Sequence, residues 1–138
     1  MYFNKNNNFF HGIMFHHFHD GGIHKKTQGS IDKDDFYKMI NFIGKNNILD
    51  ADVYFEKFKN NKLKNNQVCL TFDDAIKSQI DIALPILEDL NIKGFFFVYT
   101  SLFEGNPDSL EIFRYFRAKY FNSVDEFYQK FYEVLNFV

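Results

Sequence analysis

The chain has 138 residues, 46% of them hydrophobic, and a formal net charge of −2. That length and apolar fraction suit one globular domain with a sizeable core and exclude a disordered chain. The charge argues against a nucleic-acid partner, and the single cysteine, Cys69, excludes an internal disulfide.

Residues 1–10 are expected to be a loosely ordered, polar start. The opening MYFNKNNNFFHGIMFHHFHD has no unbroken apolar h-region, and no stretch reaches membrane-spanning length. The expected address is therefore the cytoplasm, with no membrane span. HGIMFHHF is short, aromatic and bounded by glycine, which predicts a strand over 12–17. DGGIHKKTQGS is a loop broken by Gly21, Gly22 and Gly29.

Phe36, Met39, Ile40 and Ile43 recur at helical spacing, with Ser30 or Asp32 to cap the start and Gly44 to end the helix. DADVYFEKF reads as a second helix capped by Asp50. VCLTF, 68–72, is a short apolar run that predicts a buried strand, with Cys69 as a small hydrophobe inside it rather than part of a zinc–thiolate site. Residues 75–90 follow as a helix with Ile76, Ile80, Ala83, Leu84 and Leu87 on one face, kinked at Pro85. GFFFVYT, 94–100, is the next strand. Strand, helix and strand on short connections make a βαβ unit with parallel strands. LEIFRYFRAKYF and VDEFYQKFYEVL are two more helices, the second opened by a Ser123–Glu126 capping box. Its apolar stripe is Val124, Phe127, Tyr128, Phe131 and Leu135. The 20 Phe and 8 Tyr accompany heavy use of Asn and Lys, which reads as AT-rich coding rather than as an aromatic binding surface.

Asp73 and Asp74 fall directly after the 68–72 strand. In α/β folds ligands bind at that edge. A helix N-cap accounts for one acid. A divalent metal accounts for both, with one carboxylate as ligand and its neighbour as a base. A D-x-D phosphoryl-transfer site fits poorly, since the pair here is adjacent.

VCLTFDDA followed by ALPILEDLNIKGFFFVYTS resembles the first motif of the polysaccharide deacetylases, the NodB-homology or carbohydrate esterase 4 family. GIMFHHFHD resembles the His-containing strand that opens many members. The likeness runs from about Gly12 to the last helix. It implies an α/β fold, here a partial (β/α) barrel, and hydrolysis of an N-acetyl group on a sugar or polysaccharide. By the same resemblance Asp73 is the general base, Asp74 a metal ligand, and the cofactor a divalent metal, zinc. Phe15-His16 aligns with an aromatic–His pair whose imidazole serves as the acid. No substrate-binding residue is assigned.

Two departures stand out. Ala75 occupies the motif's usual glycine position, and no H-x-x-x-H follows Asp74, since the last histidine is His24. The expected organisation is therefore an incomplete deacetylase-like domain over 11–138 with its core motif at 67–100. Such a chain is expected not to release acetate at an appreciable rate by itself. The rival reading is a non-catalytic remnant or carbohydrate-binding half-domain. His11, His16, His17, His19 and His24 cluster near the start. Besides the acid reading of His16, they read as exposed imidazoles at a strand end or as replacement ligands. Arg114 and Arg117 read as a solvated or salt-bridged helix face, with an anionic sugar as the lesser alternative. Phe113, Phe116, Phe127 and Phe131 are expected to be exposed and to favour self-association.

Overall fold

The computed structural model describes residues 11–136, so the expected loose start at 1–10 lies outside the described residues. The elements in chain order are β1 (His11–Phe15), α1 (Lys33–Ile43), α2 (Ala51–Lys59), β2 (Val68–Phe72), α3 (Leu84–Asp89), β3 (Phe95–Phe96), α4 (Ser109–Tyr120) and α5 (Val124–Leu135). A π-helical turn, Gln79–Ala83, leads directly into α3.

The three strands form one parallel sheet in the order β1-β2-β3. His11 pairs with Val68 and Phe15 with Phe72, so β1 and β2 end level. This is an α/β layer with parallel strands. Among the described residues the sheet is open at β1 and at β3, whereas a closed (β/α) barrel takes eight strands. β3 is shorter than the 94–100 expectation. Phe97 N still donates to Phe72 O at 2.8 Å. There β2 ends, and the chain coils at Thr100–Leu102. Gly94 lets β3 close on β2: a β-carbon there would lie 2.8 Å from the Phe72 ring and 3.1 Å from Leu70 O.

The caps follow the sequence with two changes. Asp32 accepts from Asp35 N at 2.8 Å, and Gly44, at φ 84°, closes α1 with N–H to Ile40 O. Asp50 stands at the start of α2, yet its carboxylate accepts from Lys93 N at 2.9 Å instead of capping. The Ser123 hydroxyl accepts from Glu126 N at 3.0 Å, while the Glu126 carboxylate returns to Asn122 N at 2.8 Å, one residue before the expected donor.

The core lies between the sheet and α1, α3. Phe15, Phe18, Phe36 and Phe72 are all buried and touch in pairs, with centroids 5.0–6.2 Å apart. Phe96 stacks on Phe72 at 4.6 Å. These phenylalanines build the interior, whereas Phe42, Phe55, Phe58, Phe97 and Phe103 are among those that remain exposed. Three expectations for the helical faces need correction. Met39, of the expected α1 stripe, is exposed. Ile80 is half exposed, and the buried positions are Ser78, Gln79, Ala83, Ile86 and Leu87. Pro85 has no N–H to offer the carbonyl of Asp81, and the wider π-turn just before it rotates the following residues about the axis. Phe127 is buried rather than exposed, at the centre of Phe113, Phe121 and Phe131 with Arg117 over its ring. Phe113, Phe116 and Phe131 remain partly exposed.

Candidate active site

β2 carries the chain to Asp73, whose N–H donates to Phe15 O at 3.1 Å, extending the β1–β2 ladder by one bond. The next two residues turn sharply. Asp74 has φ 73° and Ala75 φ 51°, both in the left-handed region. Ala75 therefore does not begin a helix, as the sequence suggests. It completes a turn for which glycine is better suited. Strain of this kind concentrates at sites where geometry is over-determined. Ala75→Gly is expected to raise stability by about 0.5–1 kcal/mol. Relief of about 1–2 kcal/mol of left-handed strain outweighs the added freedom of an unfolded glycine. A urea midpoint that falls instead would show that the alanine methyl holds the turn through contacts.

The turn is clamped from behind. Gln79 is buried, and its Nε2 donates to His16 O at 2.9 Å and to Asp73 O. The neighbouring Ser78 hydroxyl accepts from Phe18 N at 3.2 Å. These two residues, at the start of the π-turn, tie the exits of β1 and β2 together.

The two acids differ in their surroundings. Asp74 Oδ2 lies 3.7 Å from His16 Nε2, an ion-pair distance when the imidazole is protonated, and both side chains are about one-third exposed. Asp73 Oδ1 is buried with no hydrogen-bond partner among the described residues. Neither carboxylate accepts a backbone N–H at the start of the following helix, so capping does not account for the pair. An orphaned carboxylate oxygen is costly, on the order of 1–3 kcal/mol, and is the sort of feature expected of a functional acid.

The remaining histidines diverge. His17 Nε2 accepts from Arg114 at 2.7 Å and lies 3.3 Å from Glu111 Oε1. The first contact requires a neutral ring and the second favours a charged one. Burial decides: it pulls the His17 imidazole below its ordinary pKa, Glu111 opposes, and the Arg114 guanidinium adds to the lowering. The neutral ring then carries its proton on Nδ1. His19 Nδ1 meets the Ser30 hydroxyl at 3.0 Å, and His24 meets Asp81 at 2.7 Å. Tyr99 was not legible as a site residue. Its phenol pKa is raised by burial and by the carboxylates of Asp108 and Asp74, and its hydroxyl donates to Asp108 at 3.3 Å. Arg114 is salt-bridged to Glu111 at 2.7 Å. Burial pushes the Cys69 thiol up to about 11, so it is no thiolate ligand at neutral pH.

A divalent metal would find two donors here, Asp74 and His16. Among the described residues no three His, Cys, Asp or Glu side chains gather to hold a metal ion. A catalytic zinc takes about three protein ligands. The donor set of these residues does not by itself fit one, and the histidines do not assemble as replacement ligands.

Residues 60–115 match the family model of polysaccharide deacetylase, a span that runs from before β2 through the acid pair and β3 into α4. No curated protein matches the chain. No solved structure matches it either.

Proposed function

We propose, from the match of residues 60–115 to the polysaccharide deacetylase model, that the chain contributes the acid-pair side of a carbohydrate deacetylase, a hydrolase that removes an N-acetyl group from a sugar or glycan. The observation that carries the reading is the strand-end pair itself: a carboxylate, Asp73, with one buried oxygen lacking a partner among the described residues, next to a carboxylate 3.7 Å from the His16 imidazole. In this reading Asp73 takes a proton from the attacking water as its oxygen bonds to the acetyl carbon. His16 returns a proton to the sugar nitrogen as the carbon–nitrogen bond breaks, and acetate and the free amine result. Asp74 is the metal donor of the pair, zinc being the ion the family resemblance implies. Since two donors fall short of a catalytic shell, no step is drawn through the metal. The partial (β/α) barrel and the cytoplasmic setting belong to the same proposal. No helix among the described residues is long and apolar enough to cross a membrane.

The second reading, a non-catalytic remnant or carbohydrate-binding half-domain, draws on the same shortfall of donors. The two separate in one experiment on the protein as expressed from its gene. Asp73→Asn is expected to retain divalent metal and to lower acetate release from N-acetylglucosamine oligomers by about 100-fold or more. Asp74→Ala is expected to lose the metal. For the 138 residues alone, weak metal binding without appreciable acetate release is expected. Metal content that is the same in Asp74→Ala and wild type would remove Asp74 as a ligand. No acetate release from any form, with unaltered metal content, would leave the remnant reading standing.

A further inference from the structure

α4 and the α4–α5 corner form one wall of a cleft of about 670 Å3, and the loop of residues 25–28 forms the other. Lys25 and Lys26 come from the loop, and Arg114, Arg117 and Lys119 from α4. No Asp or Glu lines the cleft. Arg114 is committed to Glu111 and His17. The other four cations have no carboxylate partner among the described residues. Arg117 lies over the Phe127 ring, and Lys119 lies over Tyr115 and Tyr120. In a chain of net charge −2, this is an uncompensated concentration of positive charge in a concave site.

The loop wall is also preformed. Thr27 Oγ1 is buried without a hydrogen-bond partner, and Thr27 lines this cleft. Its backbone is fixed by the Ser30 hydroxyl, which accepts from Thr27 N at 2.9 Å and donates to Thr27 O at 2.8 Å. The loop wall is therefore held in shape before any ligand arrives. The aromatic rings under Arg117 and Lys119 limit how far those side chains can wander. The cleft suits a small molecule in size, since ligand pockets run from about 300 to 1,000 Å3.

We propose that this cleft is an anion-binding site for a small phosphate-bearing molecule, with Lys25, Lys26, Arg117 and Lys119 on the phosphate oxygens. The site does not depend on the acid pair or on the deacetylase reading. An arginine and several lysines around one anion favour a doubly charged phosphate over a carboxylate, because charge-assisted bonds to several oxygens form together. Nucleic acid is disfavoured by the chain's net negative charge, which leaves a local pocket rather than a basic face.

The test is calorimetric titration of the intact chain with inorganic pyrophosphate, with acetate as the monoanion control. Saturable pyrophosphate binding at physiological salt is expected, with acetate at least about tenfold weaker, as loss of one or two charge-assisted bonds implies. Lys25→Gln with Lys26→Gln changes only exposed loop positions, so folding is not at issue, and it is expected to weaken pyrophosphate about tenfold or more. Arg117→Gln should do the same, while Lys62→Gln, outside the cleft, should leave binding unchanged. Equal affinity in wild type and the paired lysine variant overturns the proposal. So does a single-stranded oligonucleotide that binds tighter than pyrophosphate and competes with it, which would make the cleft a nucleic-acid contact.

Discussion

Phe72→Ala is expected to cost about 3–5 kcal/mol, a third or more of the stability of a typical domain. Phe72 is fully buried at the last pairing position of β2. Its ring meets Phe15 at 5.5 Å, Phe18 at 6.2 Å, Phe36 at 6.1 Å and Phe96 at 4.6 Å. Removal deletes the transfer energy of the ring and leaves a cavity among four other rings that are themselves held by the sheet and α1. Phe72→Leu, which keeps most of the volume, should cost well under half as much. Denaturant titration of both variants is the measurement. A loss under about 1 kcal/mol for the alanine form would mean that the aromatic cluster collapses into the space and does not anchor the strand end. The effect bears on function because Asp73 is the next residue, and the position of its carboxylate is set by where β2 stops.

The second large effect is expected at Gln79. Gln79→Glu preserves the side-chain shape and removes the amide donor that serves His16 O and Asp73 O. Two carbonyls lose their partner and a carboxylate is placed against them, so a loss of about 2–4 kcal/mol is expected. Faster amide exchange over residues 73–79 should accompany it. Gln79→Met, which also lacks the donor but adds no charge, should lie between wild type and the glutamate variant. If both variants unfold at the wild-type denaturant midpoint, the exits of β1 and β2 are joined by packing alone, and Gln79 has no part in positioning the acids.

Several elements were legible because local chemistry settles them. VCLTF is a strand at the predicted bounds, since a five-residue apolar run with β-formers has one way to bury itself. Phe36, Ile40 and Ile43 of the predicted stripe face inward with Asp32 and Gly44 as caps, while Met39 at its edge is exposed. Ser123 opens α5 for the same reason. The placement of Asp73 and Asp74 at the sheet's carboxyl edge follows from the position of β2 alone.

Other features turn on contacts between segments far apart in the chain. Gln79 is polar, yet it is buried at the start of the π-turn, where the carbonyls of His16 and Asp73 take its amide protons. Ile80, the next residue, faces outward. Phe127 is buried only because α4 brings Phe113 and Arg117 against it. Of five histidines close in sequence, His16 reaches Asp74, while His17 meets α4 and His24 meets Asp81. Neighbouring residues leaving a strand point apart, so sequence proximity says little about which imidazoles share a site. The sequence by itself determined the strand, the caps and the acid pair, because those rest on periodicity and on short-range hydrogen bonding. Only the tertiary structure decided which histidine joins the acids, which glutamine clamps them, and where four cations meet, because those depend on distances across 40 to 100 residues of chain that no local pattern encodes.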